Sequence, residues 1–138
     1  MFTSHHQSSA STYHSVDLES SVRMTDPHRL VEMLFDGAVT AVMKAGIALQ
    51  QGDITGKGQA TSRAIRIIDE GLKASLDHDA GEISSNLWAL YGYMSRTLLQ
   101  ANLNNDLAQY EEVTTLLQEL RDAWRSIRPQ VLGLKPNA

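Results

Sequence analysis

A chain of 138 residues is long enough for one domain with a sizeable core, and 42% apolar with 20% charged residues is ordinary for a globular protein. A net charge of −4, with Lys and Arg scattered among Asp and Glu, leaves no basic stripe for nucleic acid. The lack of cysteine excludes disulfides, thiolate metal sites and cysteine nucleophiles, and it fits a reducing compartment.

Residues 1–12 are rich in Ser, Thr and His around a single large apolar residue, Phe2, so a disordered N-terminal tail is expected there. Residues 13–22 differ: Tyr13, Val16, Leu18 and Val22 punctuate polar neighbours, the pattern of a short docking segment. Asp26-Pro27 opens the first long helix, with Asp26 as cap and Pro27 in the first turn, where its missing N–H costs nothing. This helix is expected to reach Gln51. One row of it is Leu30, Leu34, Ala38, Ala41, Ala45 and Ala48; an adjacent row is Val31, Phe35, Val39, Val42 and Leu49. The small residues let a neighbouring helix approach closely, and the second row widens the apolar arc beyond one seam.

Gly52-Asp53 separates this helix from a second, spanning about 54–76, with Ala64, Ile65, Ile68, Leu72 and Leu76 on its apolar face. Gly56 and Gly58 weaken its first turn. After a turn at 77–81, a third helix runs over about 82–103. Its apolar residues Ile83, Leu87, Leu90, Met94, Leu98 and Ala101 follow helical spacing, and Trp88, Tyr91, Leu98 and Leu99 make a second row beside them. Asn104-Asn105-Asp106 is the next turn and cap, and the fourth helix, about 107–127, carries the alternating four-three repeat Val113, Leu117, Leu120, Trp124, Ile127 and Val131. Pro129, Gly133 and Pro136 stop it, leaving 129–138 as a flexible C-terminal tail. No segment reads as a strand. Four helices of similar length joined by short turns predict an all-α, antiparallel up-down four-helix bundle over 13–128, the docking segment included.

The residues offer little chemistry. No Asp or Glu precedes any of the five histidines by three positions, so the Glu-x-x-His pairs of di-iron bundles are missing. His28 and Glu32, four apart, read as a surface pair rather than metal ligands, and Asp77-His78-Asp79 reads as a capping turn. Ser84-Ser85 has no oriented histidine base nearby in sequence, and Gly52, Gly56 and Gly58 lack the Lys-Ser/Thr ending of a phosphate loop. An enzyme, a cofactor and a bound metal are therefore not expected. The apolar stretch 37–49 is broken by Lys44 and too short to span a bilayer, and no secretory signal opens the chain, so a cytoplasmic protein is expected. Asp36, Asn86 and Asn102, polar residues beside apolar faces, are expected to bond between helices and fix register.

Taken together, Tyr13, Val22 and the run 25–38 (Thr-Asp-Pro-His-Arg-Leu-Val-Glu-Met-Leu-Phe-Asp-Gly-Ala) resemble the opening of the flagellin-specific export chaperones, the FliS family. Gly81-Glu82-Ile83, Asn86-Leu87, Leu90-Tyr91, Tyr93-Met94, Leu98 and Ala101-Asn102 resemble its second signature. Asp106, Glu112-Val113, Leu116-Leu117, Leu120-Arg121 and Trp124 resemble its closing helix. Phe35 stands where the family often has Tyr, Asp26 where Ser is usual, Ala80 in place of a glycine, and Gly92 where an acidic residue is common. The resemblance implies a cytosolic type III export chaperone that binds the C-terminal segment of flagellin, blocks premature polymerisation and assists export, using no nucleotide or metal. It also implies contact with the export gate and other assembly or regulatory proteins, and an N-terminal segment in which Tyr13 covers the groove. The residues expected to meet flagellin are Tyr13, Leu18, Val22, Val31, Phe35, Val39, Val42, Ile65, Ile68, Leu72, Trp88, Tyr91 and Leu98. The alternative is a structural or homodimeric bundle without flagellin binding; a monomer or weak homodimer suits the chaperone.

Overall fold

The structure, a computed structural model, describes residues 26–127. The tail 1–12, the docking segment with Tyr13, Leu18 and Val22, and the segment 129–138 lie outside them. The chain divides into two compact units, Met1–Leu30 and Val31–Ala138. Of the first, the described part is the helix start: Asp26 Oδ1 accepts the Arg29 N–H at 2.9 Å, and Pro27 opens the helix.

Four helices make the second unit: α1 (Pro27–Gln50, entering from the first), α2 (Ile54–Arg66), α3 (Glu82–Asn104) and α4 (Leu107–Ser126). The second predicted helix is not uniform. Beyond Arg66 it widens into a π-helical stretch, Ile67–Leu72, where the Lys73 N–H reaches back five residues to the Ile68 carbonyl. A single 3-10 turn, His78–Ala80, precedes α3. Among the described residues there is no strand.

Each boundary has a local cause. Gly52, at φ +73°, turns the chain after α1, and the Asp53 carboxylate accepts the Gly56 N–H at 2.9 Å to cap α2. Asn105 ends α3 in the left-handed region (φ 52°), a conformation asparagine tolerates. Asp106 then caps α4, accepting from the Gln109 N–H.

Cross-helix contacts give the topology. The Glu32 end of α1 meets the Arg125 end of α4, while Gly46 lies against Leu107. Leu34 packs on Gly71 of the π stretch, where a Cβ would come within 2.8 Å of its Cδ2, so glycine allows this close approach. Ser95 of α3 donates to Asp69 of the π stretch that continues α2, and Tyr93 of α3 donates to Glu112 of α4. Each helix thus runs antiparallel to its neighbours in the ring α1–α2–α3–α4, an up-down-up-down bundle.

The core is centred on Tyr110, Ile68, Leu72, Met94, Leu98, Leu117, Val42, Val113 and Thr61, all fully buried. Both expected rows of α1 point inward from Phe35 to Ala48, because the alanines let α1 sink between α2 and α4. In α3 the buried face is Tyr91, Met94, Leu98 and Ala101, taken from both rows; Ile83, Trp88 and Leu99 are exposed. The helix is rotated so that its inner face lies between the two rows.

Candidate functional site

One end of the second unit carries an apolar groove of about 440 Å³. Val31 and Phe35 of α1 form one wall, Leu120, Ala123 and Trp124 of α4 a second, and Ile83, Leu87 and Tyr91 of α3 a third. The α2–α3 connection, Ser75 to Asp77 and Ala80, roofs it, and Ile127 stands at its rim. Few polar atoms face it, which suits apolar side chains rather than a small polar substrate. Burial pushes the Tyr91 hydroxyl up to about 12.

Charge frames the groove on the α1–α4 side. Arg125 Nε lies 2.5 Å from Glu32 Oε2, its Nη2 lies 3.2 Å from Asp36 Oδ1, and Arg121 Nη1 lies 3.4 Å from the same Asp36 oxygen. The Glu32 hydrogen bond chiefly, with the Asp36 charge behind it, holds the Arg125 guanidinium still more firmly protonated than usual. Asp36 therefore links two helices. Asn102 contributes its carbonyl, which accepts from Lys57 Nζ at 2.8 Å, and Asn86 is exposed.

The expected partner-binding residues divide three ways. Val31, Phe35 and Tyr91 line the groove. Val39, Val42, Ile68, Leu72 and Leu98 are buried, and Ile65 packs partly buried against the core. Trp88 is 45% exposed on another flank, with Lys73 Nζ 4.3 Å from its ring centroid and the His78 ring at 5.5 Å. Leu87, Leu120 and Trp124 stand in the helical repeats of the sequence but not among the residues expected to meet flagellin; their spacing cannot tell a core wall from a groove wall at the open end of a bundle.

Catalytic candidates have structural duties. The Ser84 hydroxyl donates to the Asp77 carbonyl at 2.6 Å, and Asp77 Oδ1 caps the 3-10 turn through the Asp79 N–H. His28 and Glu32 are both buried rather than an exposed surface pair, and the Glu32 carboxylate meets Arg125 of α4. Among the described residues, no three His, Asp or Glu side chains group to hold a metal, and no helix is long and apolar enough to cross a membrane.

The profile of the family described as "Flagellar protein FliS" matches residues 9–131. The chain belongs to the FliS family. The FliS relative named a flagellar secretion chaperone in Salmonella typhimurium (strain LT2) is 53% identical over 119 residues, covering 86% of this chain and 88% of the relative. The Escherichia coli (strain K12) protein of that name is 45% identical over 114 residues, 82% of this chain and 84% of its own. The Bacillus subtilis (strain 168) one is 34% identical over 107 residues, 78% and 79%. A solved structure titled "Crystal structure of flagellar chaperone from bacteria" shares the fold, with a TM-score of 0.70 at 17% identity over 83% of this chain and 98% of that one. FliS membership is that of a chaperone family rather than an enzyme family.

Proposed function

We propose that this FliS-family chain holds the C-terminal segment of flagellin in the cytosol, keeps it from polymerising early and presents it for export. The carrying observation is the 440 Å³ groove, walled by three helices and almost wholly apolar. An amphipathic segment can lay its apolar face there in helix-in-groove fashion. Each large side chain it buries contributes roughly 1.5–3 kcal/mol gross, and ordering a disordered segment takes back a few kcal/mol. The outcome is tight but releasable binding, as a carrier requires. Without catalytic chemistry or cofactor, the cycle runs on binding and release. Export-gate and regulatory proteins are its further partners, and the chain works as a monomer or weak homodimer. By the family resemblance we further propose a cover role for Tyr13, with Leu18 and Val22 behind it, all outside the described residues, until the client arrives.

Calorimetry with the C-terminal segment of the flagellin encoded by the same organism tests this. Binding with a negative heat-capacity change is expected. Ile83, 73% exposed at the groove, can become Asp without disturbing the core, and Ile83→Asp should weaken binding at least tenfold. Deleting residues 1–22 should raise affinity. A dimer that ignores the segment would instead favour a structural bundle protein.

A further inference from the structure

Away from the end groove, α3 keeps a stripe in water. Trp88, Gly92, Arg96, Leu99 and Leu103 follow one another in steps of four and three residues, the spacing of one helix flank. Trp88, Leu99 and Leu103 are 45%, 52% and 78% exposed. From Trp88 to Leu103 the stripe is about 22 Å long at 1.5 Å per residue, roughly four turns. The α3 side chains of the end groove, Ile83, Leu87 and Tyr91, belong to another flank, so a segment seated in the groove leaves the stripe open.

Two cations converge on this stripe. A Cβ at position 92 would stand 3.2 Å from Arg96 Nη1 and 3.8 Å from Lys73 Nζ, so guanidinium and ammonium meet over the glycine. The Trp88 ring holds the Lys73 ammonium there, 4.3 Å from its centroid. Among the described residues neither cation belongs to an ion pair. The carboxylates of the π stretch are engaged elsewhere: Asp69 accepts the Ser95 hydroxyl, and Glu70 lies 4.0 Å from Arg66. In a chain of net charge −4, two like charges thus stand together with no carboxylate between them. Glycine is also a poor residue for the interior of a 23-residue helix. An acidic side chain at 92 would suit the helix better and pair both cations; glycine leaves them to an anion from outside. At the Trp88 end, His78, Ser84, Ser85 and Trp88 line a hollow of about 310 Å³, which can take an apolar side chain against the indole. With Arg96 exposed and Lys73 half-buried, the site is open and suits an extended partner rather than an enclosed small anion.

We propose that this stripe docks an acidic amphipathic helix of a protein other than the client. The apolar side chains of that helix lie on Trp88, Leu99 and Leu103. A Glu or Asp enters between Lys73 and Arg96, where Gly92 lets the two helices come close. Because stripe and end groove occupy different flanks of α3, the chain holds this partner and a client at once.

Calorimetry with the full chain and a capped, helix-forming peptide of roughly 18 residues, bearing a Leu stripe flanked by Glu, decides it. At low salt the peptide should bind, and a twin with Gln for each Glu should bind at least fivefold more weakly. Gly92→Glu gives the cations a partner within the chain. It should weaken the acidic peptide at least fivefold while raising the melting temperature of the free chain, because it improves the helix and the exposed Arg96 guanidinium can move aside for the new side chain. Arg96→Glu, at an exposed position, should weaken the acidic peptide likewise and improve binding of a twin with Lys for each Glu. If the natural chain does not bind the peptide, if acidic and Gln peptides bind alike, or if Gly92→Glu binds like the natural chain, the proposal is overturned. If the flagellin segment displaces the peptide, the occupant is the client and the proposal is wrong. If inorganic phosphate binds the natural chain where the peptide does not, the site takes small anions and the proposal is again wrong. A chain that binds the peptide but not the flagellin segment would overturn the proposed function and leave this surface standing.

Discussion

Tyr91 links core and groove in one side chain. It is 3% exposed, lines the end groove, and burial raises its hydroxyl from an ordinary 10.0 to about 12. The folded state thus holds the neutral phenol. Below pH 10 the folded and unfolded chains are both protonated there, and Tyr91 gives stability no pH dependence. Between pH 10 and 12 the unfolded chain loses the proton first, so stability falls with rising pH. The loss is on the order of 2–3 kcal/mol across that window. Urea unfolding at intervals from pH 9 to 12 should show a shallower decline for Tyr91→Phe than for the natural chain; equal declines would refute the assignment. Tyr110, raised by burial and pulled back by its hydrogen bond with Thr61, adds a slope common to both proteins. Lys57 is a different buried polar residue. Its ammonium donates to the Asn102 carbonyl and to the Asn105 side chain, placing a cation at the C-terminal end of α3, where orphan carbonyls gather.

At the scale of the element, α2 is the helix whose sequence argues most against it. Gly58 lies inside α2, and an added Cβ there would meet nothing within 4 Å. Gly58→Ala should therefore stabilise the protein by about 0.5–1 kcal/mol through helix propensity alone. A rise in the urea midpoint at unchanged slope would show it, and a fall would mean that the glycine has a role beyond propensity. Helix order and termini were legible in the sequence because caps and stops are local chemistry: Asp26, Asp53 and Asp106 each bond a backbone N–H three residues on. Helix rotation was not. The period of α3 admits two neighbouring faces, and only packing on α2 and α4 selects Tyr91, Met94 and Leu98. The π stretch was equally hidden, since Ile67–Leu72 carries no residue that demands a wider turn. Met43 and Ile47 escaped both α1 rows because they sit on a third flank, whose exposure depends on how deeply α1 sinks.

At the scale of the molecule, stability and binding draw on separate residues. The core around Tyr110, Ile68 and Leu117 is closed, whereas Ile83 at the end groove leaves apolar area in water. A client that covers this area binds the folded chain and not the unfolded one, so it must raise the melting temperature by mass action. At a free segment concentration of 100 times Kd the gain is about 2.7 kcal/mol, which for a chain of this size is roughly 10 °C. A chain carrying Ile83→Asp should melt close to the natural protein when alone, because this side chain is 73% exposed. With the segment present it should lose most of the shift. A free variant that melts far below the natural chain would mean that Ile83 helps hold the bundle together, and the separation between core and docking surface would not stand.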